Sequence, residues 1–192
     1  MTLIESIRDE YNRYKALAEA AIDQLDDAEL SMDGPNGGNS VSVLCWHVAG
    51  NLRSRFTDFL TTDGEKPWRE REEEFRARTV SRTELLDAWR SGWAPLLSTL
   101  ASLTDQDLQL PVTIRRQPLA VHEALHRSLA HVAYHVGQIV YVAKSIRGGT
   151  WTYLSIPPGG SDAYNRSARF EHAAAQTARL AEAAASPKPR AS

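Results

Sequence analysis

Histidine is the residue type with the most chemistry to offer in this chain, and four of its six copies fall in one short run. His131-Val-Ala-Tyr-His135 and His122-Glu-Ala-Leu-His126 each place two imidazoles four residues apart. On a helix such residues lie one turn above each other on the same face. Either pair can therefore grip a single ion, as the two histidines of HExxH do. The spacing alone is a weak signal, because a lone inward pair is more often a satisfied part of a core. The two pairs also cannot both face inward. Nine residues separate them, which at roughly 100° per residue turns the helix by about half a circle.

The neighbouring apolar residues choose between them. The run from about 119 to 146 has helical periodicity, with Val121, Leu125, Val132, Val136, Ile139 and Val142 on one broad stripe. His131 and His135 fall at one edge of that stripe. His126 projects among Glu123, Arg127 and Lys144, and His122 lies at the far margin. The inward pair is His131 and His135; the upstream pair reads as a solvated face. A metal site then needs a third ligand from elsewhere.

The elements that must supply it come in order along the chain. Thr2 and Glu5 form a capping box ahead of a first helix reaching about Leu25, with Leu3, Ile7, Tyr11, Tyr14, Ala18 and Ile22 inward. A Gly- and Asn-rich break at 33–39 precedes a second helix, capped by Asn39 or Ser40 and running to about Leu60. Residues 61–79 are charged and read as a solvated connection, although Trp68 and Phe75 suggest contact with the body. Ser81 and Glu84 make a second capping box for a third helix, interrupted by Pro95. Residues 110–117 alternate as a short extended segment or hairpin, and Pro118 suits the first position of the fourth helix. Gly148 and Gly149 end that helix. An ordered loop at 150–165, an Ala-rich helix at 170–185 and a disordered tail at 186–192 complete the expectation.

Composition excludes several alternatives. A net charge of −2 lacks the basic face that phosphate neutralisation needs, so no nucleic-acid partner is expected. No window holds the apolar run of a membrane span, and the charged N-terminus has no signal-peptide pattern. No membrane partner and a cytoplasmic location follow as expectations. Cys45 is the only cysteine, which rules out an internal disulfide or a Cys-rich zinc site and reads as a small core residue.

Four long amphipathic helices imply an all-α, up-and-down four-helix bundle with a long connection between helices two and three. Residues 1–165 form the bundle domain and 166–192 an Ala-rich C-terminal extension. Such bundles build metal sites from inward side chains on facing helices. Helices one and three carry no histidine, and helix two carries one, His47. It lies at the edge of its apolar arc, in line with Asn51 and Asp58 and beside Arg55. A polar line on a core margin is costly unless its groups are paired or functional. Three neutral imidazoles with an open position suit a catalytic zinc-type centre.

Several strings also carry a resemblance. Trp46-His47-Val-Ala-Gly-Asn-Leu52, Arg55-Phe-Thr-Asp-Phe-Leu60, Asp63-Gly-Glu-Lys66, the segment from Ser128 through His131 and His135 to Ile139, and Leu154-Ser-Ile-Pro157 resemble the DinB-like superfamily, most closely its DUF1572 subgroup. The resemblance implies a four-helix bundle holding a divalent ion, zinc or nickel, on three histidines: His47, His131 and His135 by position. It also implies thiol chemistry, since relatives include bacillithiol-dependent S-transferases and a mycothiol-dependent isomerase. Homodimers are common among relatives, and the thin-faced Ala-rich tail adds a reason to expect one here.

The resulting reading is a divalent-metal-dependent enzyme acting on a small-molecule substrate. Its expected reaction is transfer of a low-molecular-weight thiol to an electrophile, with metal-assisted hydrolysis as the nearest variant. Arg55 is a candidate to orient an anionic substrate or thiol, against an ion pair with Asp58 or a loop carboxylate. Asn51 is a candidate to hydrogen-bond a ligand or to fix a histidine tautomer. Tyr134 and Gln138 flank the ligands, and segments 63–66 and 68–71 are candidates to roof the site. The alternative is a non-catalytic metal-binding or stress-response interaction protein. A fourth protein ligand would favour that alternative, and an open position would favour the enzyme.

Overall fold

The computed structural model describes residues 1–169 and 171–185. Eight helices and one hairpin follow in order: α1 (Leu3–Ile22), α2 (Asp27–Leu30), α3 (Val41–Phe56), α4 (Arg71–Glu74), α5 (Arg82–Ser102), β1 (Pro111–Ile114), β2 (Gln117–Ala120), α6 (Val121–Arg147), α7 (Ser161–Asn165) and α8 (Ala173–Ala185). Both capping boxes form, at Thr2 with Glu5 and at Ser81 with Glu84. Ser40 caps α3, its hydroxyl accepting the Val43 N–H. The inward stripe of α1 passes through Ile4 rather than Leu3, which is half exposed, and continues through Ile7, Tyr11, Ala18 and Ile22.

The four long helices share one core. α3 packs against α5 and α6, and α1 against α6, α5 and α8. Tyr11 joins three of them: its ring stands edge-on to Trp93 of α5 at 6.4 Å, and its hydroxyl donates to the Leu125 carbonyl of α6 at 2.8 Å. Trp89 and Trp93 are fully buried beneath α3. The helix runs on through Pro95, because the carbonyl that Pro95 leaves without a donor belongs to Ser91, an exposed position that water reaches.

Several boundaries differ from the sequence expectation, each for a local reason. The second helix stops at Phe56 instead of about Leu60, since Thr57 turns extended and Asp58 enters the left-handed region at φ 49°. Asp58 therefore leaves the polar line that periodicity drew through His47 and Asn51. Pro118 does not open the fourth helix. It pairs across from Thr113 within β2, and α6 begins three residues later. The hairpin turn consists of Arg115 and Arg116, both left-handed at φ 52° and 62°. Two such residues in succession are what a type I′ turn requires, at about 1–2 kcal/mol each for residues other than glycine. The offset comes from Asp63, whose carboxylate accepts the backbone N–H of Arg115 at 2.8 Å and of Arg116 at 2.7 Å. Gly64 N–H also donates to the Thr113 carbonyl, fastening loop 63–66 to the hairpin.

The Ala-rich helix α8 lies on α1, with Leu180 buried and the Arg179 guanidinium donating to the Leu154 carbonyl. Its apolar face thus has a partner within the chain, which removes the tail-based reason for expecting self-association. The expected disordered segment 186–192 lies outside the described residues. No helix among those described is long and apolar enough to cross a membrane.

The contact of α3 with α5 is close enough to need glycine. A Cβ on Gly92 would stand 2.4 Å from the Ala49 Cα, inside van der Waals contact with backbone that cannot rotate away. Gly92→Ala is expected to destabilise the protein by about 1–3 kcal/mol through overpacking, read as a lower urea midpoint at unchanged slope. An unchanged midpoint would contradict this packing.

Candidate metal centre

α3 and α6 bring His47, His131 and His135 together where the two helices face each other. Each histidine has a ring nitrogen within 4.8 Å of those of the other two. Ring centroids stand 4.5 Å apart for His131 and His135, 4.7 Å for His47 and His135, and 5.2 Å for His47 and His131. The other pair goes elsewhere, as the periodicity predicts: His122 Nδ1 lies 2.9 Å from the Leu108 carbonyl, and His126 is exposed.

Tautomers follow from the outer partners. His47 Nδ1 lies 2.9 Å from Glu74 Oε2. Burial would push the Glu74 carboxyl up, but its bonds to Arg69 and His47 outweigh that and hold it below the usual range. An ionised carboxylate only accepts, so His47 carries its proton on Nδ1 and turns a bare Nε2 inward. His135 Nδ1 donates to Gln138 Oε1 at 2.7 Å, leaving its Nε2 bare as well. Partners of this kind fix the orientation of metal-ligating imidazoles.

His131 has no such partner. Its Nδ1 is buried without a hydrogen bond, and its Nε2 lies 3.2 Å from His47 Nε2. Two nitrogens on one tetrahedral ion at about 2.0 Å would stand roughly 3.3 Å apart. The spacing and the donor set fit a divalent ion. Among the described residues the group consists of these three histidines, with no carboxylate or thiol as a fourth donor.

Sequence reasoning missed Glu74, and it gave Arg69 only as part of the candidate roof 68–71, without its tie to the histidines. Arg69 grips Glu74 through two bonds of 2.8 Å, and both side chains are more than nine-tenths buried. They belong to the charged run read as a solvated connection. α4 carries Glu74 inward, and Gly50 makes the room: a Cβ there would meet Glu74 Oε1 at 2.3 Å. The aromatic neighbour Phe75 was the available signal. It packs on the His47 ring at 4.4 Å with the Arg71 guanidinium over its own face.

A cavity of about 290 Å³ opens on the histidines, lined in part by Asn51, Arg55, Arg69 and Phe75. The Asn51 amide has no hydrogen bond among the described residues. Arg55 pairs with Glu65 at 2.9 Å and donates to the Gly64 carbonyl at 2.5 Å, so its carboxylate partner comes from the loop and not from Asp58. Gln138 holds His135, as noted, while Tyr134 stands edge-on to it and is largely exposed. Arg69 and Arg71 reach the cavity wall. Loop 63–66 instead braces Arg55 and the hairpin. Cys45 is buried away from the centre, and burial pushes its thiol up.

Burial, with His135 and His47 close by, pushes His131 down to about 3 from the ordinary 6.5. His135 is also lowered, first by burial and then by His47. Between pH 6.5 and 3 the unfolded chain therefore binds protons that folded His131 refuses, and stability rises with pH across that window. Metal-free protein should lose stability as pH falls below 6.5, and His131→Gln should flatten that limb. Parallel acid limbs for both proteins in denaturant titrations would contradict the assignment.

The comparisons bear on fold and family. No curated protein matches the chain. A solved structure titled "Crystal structure of the conserved protein of locus from Enterococcus faecalis" is similar at a TM-score of 0.59 and 20% identity. The match covers 77% of this chain and 99% of that one. At that identity the likeness concerns the fold. The family described as "Protein of unknown function (DUF1572)" matches residues 1–160, and the chain belongs to it.

Proposed function

We propose that the protein is a divalent-metal-dependent enzyme that transfers a low-molecular-weight thiol to an electrophilic small molecule, within the DinB-like superfamily. The observation that carries the reading is the juxtaposition of three inward imidazoles with an open cavity and no fourth donor among the described residues. A structural ion is normally enclosed by four protein ligands, whereas a catalytic one keeps a position free. Residues 1–165 are taken as an up-and-down four-helix unit and 166–192 as its extension. Zinc or nickel suits the nitrogen set.

When bound, the ion supplies Lewis acidity that lowers the pKa of a thiol or water it holds. The chain's own residues do the remaining work. Glu74 and Gln138 hold His47 and His135 in one tautomer. Phe75 and the apolar wall exclude water from the rings. Asn51 offers a free amide to a bound ligand, and Arg55, anchored by Glu65, contributes positive potential. Homodimerisation is a separate proposal, answered by sedimentation at tens of micromolar.

Elemental analysis of protein purified without a His tag should give one divalent ion per chain. His47→Ala, His131→Ala and His135→Ala should each reduce it to near zero, whereas the double variant His122→Ala/His126→Ala should keep it. Metal-dependent thermal stabilisation should follow the same split. Wild-type metal content in His135→Ala would overturn the site. A loaded protein inactive in a thiol-transfer and hydrolysis screen would favour the non-catalytic reading.

A second expectation concerns the outer partner. Glu74→Gln keeps all three ligands but loses the ionised acceptor, so metal affinity should fall about 10–100-fold. Gly50→Ala should act in the same direction by displacing the Glu74 carboxylate. Unchanged affinity in both would show that Glu74 does not orient His47.

A further inference from the structure

We infer that the cavity beside the histidines is a binding site for a small organic anion with an apolar body, held by Arg69 and Arg127. The inference takes its location from the proposed active site and deepens that reading by naming the ligand's charge class. It does not depend on a metal being bound.

Charge is the first ground. Five guanidinium groups line this one cavity: Arg55, Arg69, Arg71, Arg115 and Arg127. Their ion pairs reach three carboxylates, with Glu65 shared by Arg55 and Arg115, Glu74 held by Arg69, and Glu72 held by Arg71. The nearby Asp63 carboxylate is engaged by three backbone N–H groups. Arg127 pairs with no carboxylate among the described residues. An excess of positive charge in a partly enclosed, low-dielectric cleft focuses potential and concentrates anions.

The second ground is an unused donor. The Arg69 side chain is only 2% exposed, and its Nε and Nη2 are bonded to Glu74. Its Nη1 is buried with no partner in the chain. A buried donor on a charged group is costly to leave unmet. This one belongs to a wall residue of the cavity, and an acidic oxygen of a ligand would satisfy it with a charge-assisted bond. Because Glu74 fixes the guanidinium plane, the donor is pre-oriented, which limits the entropy lost on binding.

The apolar part follows from the remaining wall. Phe56, Phe59, Phe75 and Ile114 face the same space. A volume of about 290 Å³ sits at the small end for ligand pockets. Inorganic anions would leave that wall unfilled, whereas a ring or short chain bearing an acidic group would cover it.

The test uses the full chain, stripped of metal and dialysed free of chelator, titrated calorimetrically with phthalate, phenyl phosphate and neutral phthalamide. Phthalate and phenyl phosphate arms separate carboxylate from phosphate recognition. At least one anion should bind once per chain with salt-sensitive affinity, and phthalamide should not. Arg69→Met should weaken binding about ten-fold or more, as expected for a lost charge-assisted bond. That variant also leaves Glu74 with His47 as its one remaining partner, so Arg127→Glu, at an exposed position, is the second; it should weaken binding to a similar degree with an unchanged urea midpoint. Equal binding of phthalamide, wild-type affinity in Arg127→Glu, or no anion binding to stripped or metal-loaded protein would overturn the inference. Anion binding intact in a wild-type protein that never takes up metal would remove the metal reading and leave this one standing.

Discussion

The centre depends on one buried carboxylate. Glu74 stands between the His47 imidazole and the Arg69 guanidinium, all three largely out of water. Burying an ionised carboxylate costs several kcal/mol unless its oxygens are met. Here Oε2 accepts from His47 Nδ1 and from Arg69 Nη2, while Oε1 accepts from Arg69 Nε. Each interaction makes the others tenable. Without Arg69 the buried carboxylate would keep one of its three bonds, that from His47 Nδ1, and would lose most of what offsets its burial. The tautomer of His47, and with it the donor set, is thus set from the loop between α3 and α5.

That loop is held by small geometric allowances. Gly50 lies one turn after His47 on α3 and leaves the space into which Glu74 fits. Phe75 then covers the imidazole, and Arg71 stacks over Phe75. On the other side of the cavity, Asp63 stabilises two consecutive left-handed arginines, and Glu65 ties Arg115 to Arg55. Irregular backbone is therefore ordered by carboxylates over much of the cavity wall. Such walls tolerate charge because each acid meets backbone N–H groups or guanidinium in fixed positions.

The part of this arrangement that repeats was legible in the sequence. Apolar periodicity separated His131 and His135 from His122 and His126, and His47 was the single histidine on the first three helices. The core residues of α3, from Val41 to Phe56, were likewise marked by period. What was not legible is aperiodic. Glu74 sits in a run of alternating acids and arginines, where nothing in the pattern separates a buried carboxylate from its solvated neighbours. Its burial follows from the absence of a side chain at Gly50, on another element. Pro118 shows the opposite failure: a sound local rule for helix starts was overridden by cross-strand pairing with β1.

The division of labour among the helices explains how so polar a site is compatible with a stable bundle. α1 and α5 carry no histidine, and their buried faces hold Tyr11, Trp89 and Trp93, each of which removes a large apolar area from water. The interface of α3 with α6 bears the imidazoles at its margin and not through its full depth: Val48 and Leu52 on one side and Val132, Val136 and Ile139 on the other remain buried behind them. Polar groups at a margin can be reached from the connecting loops, which is where Glu74, Arg69 and Glu65 originate. A site placed deeper between α3 and α5 would have no such access, because Gly92 already brings those two backbones into contact. The close packing of one helix pair and the open edge of the other are therefore complementary requirements of the same fold.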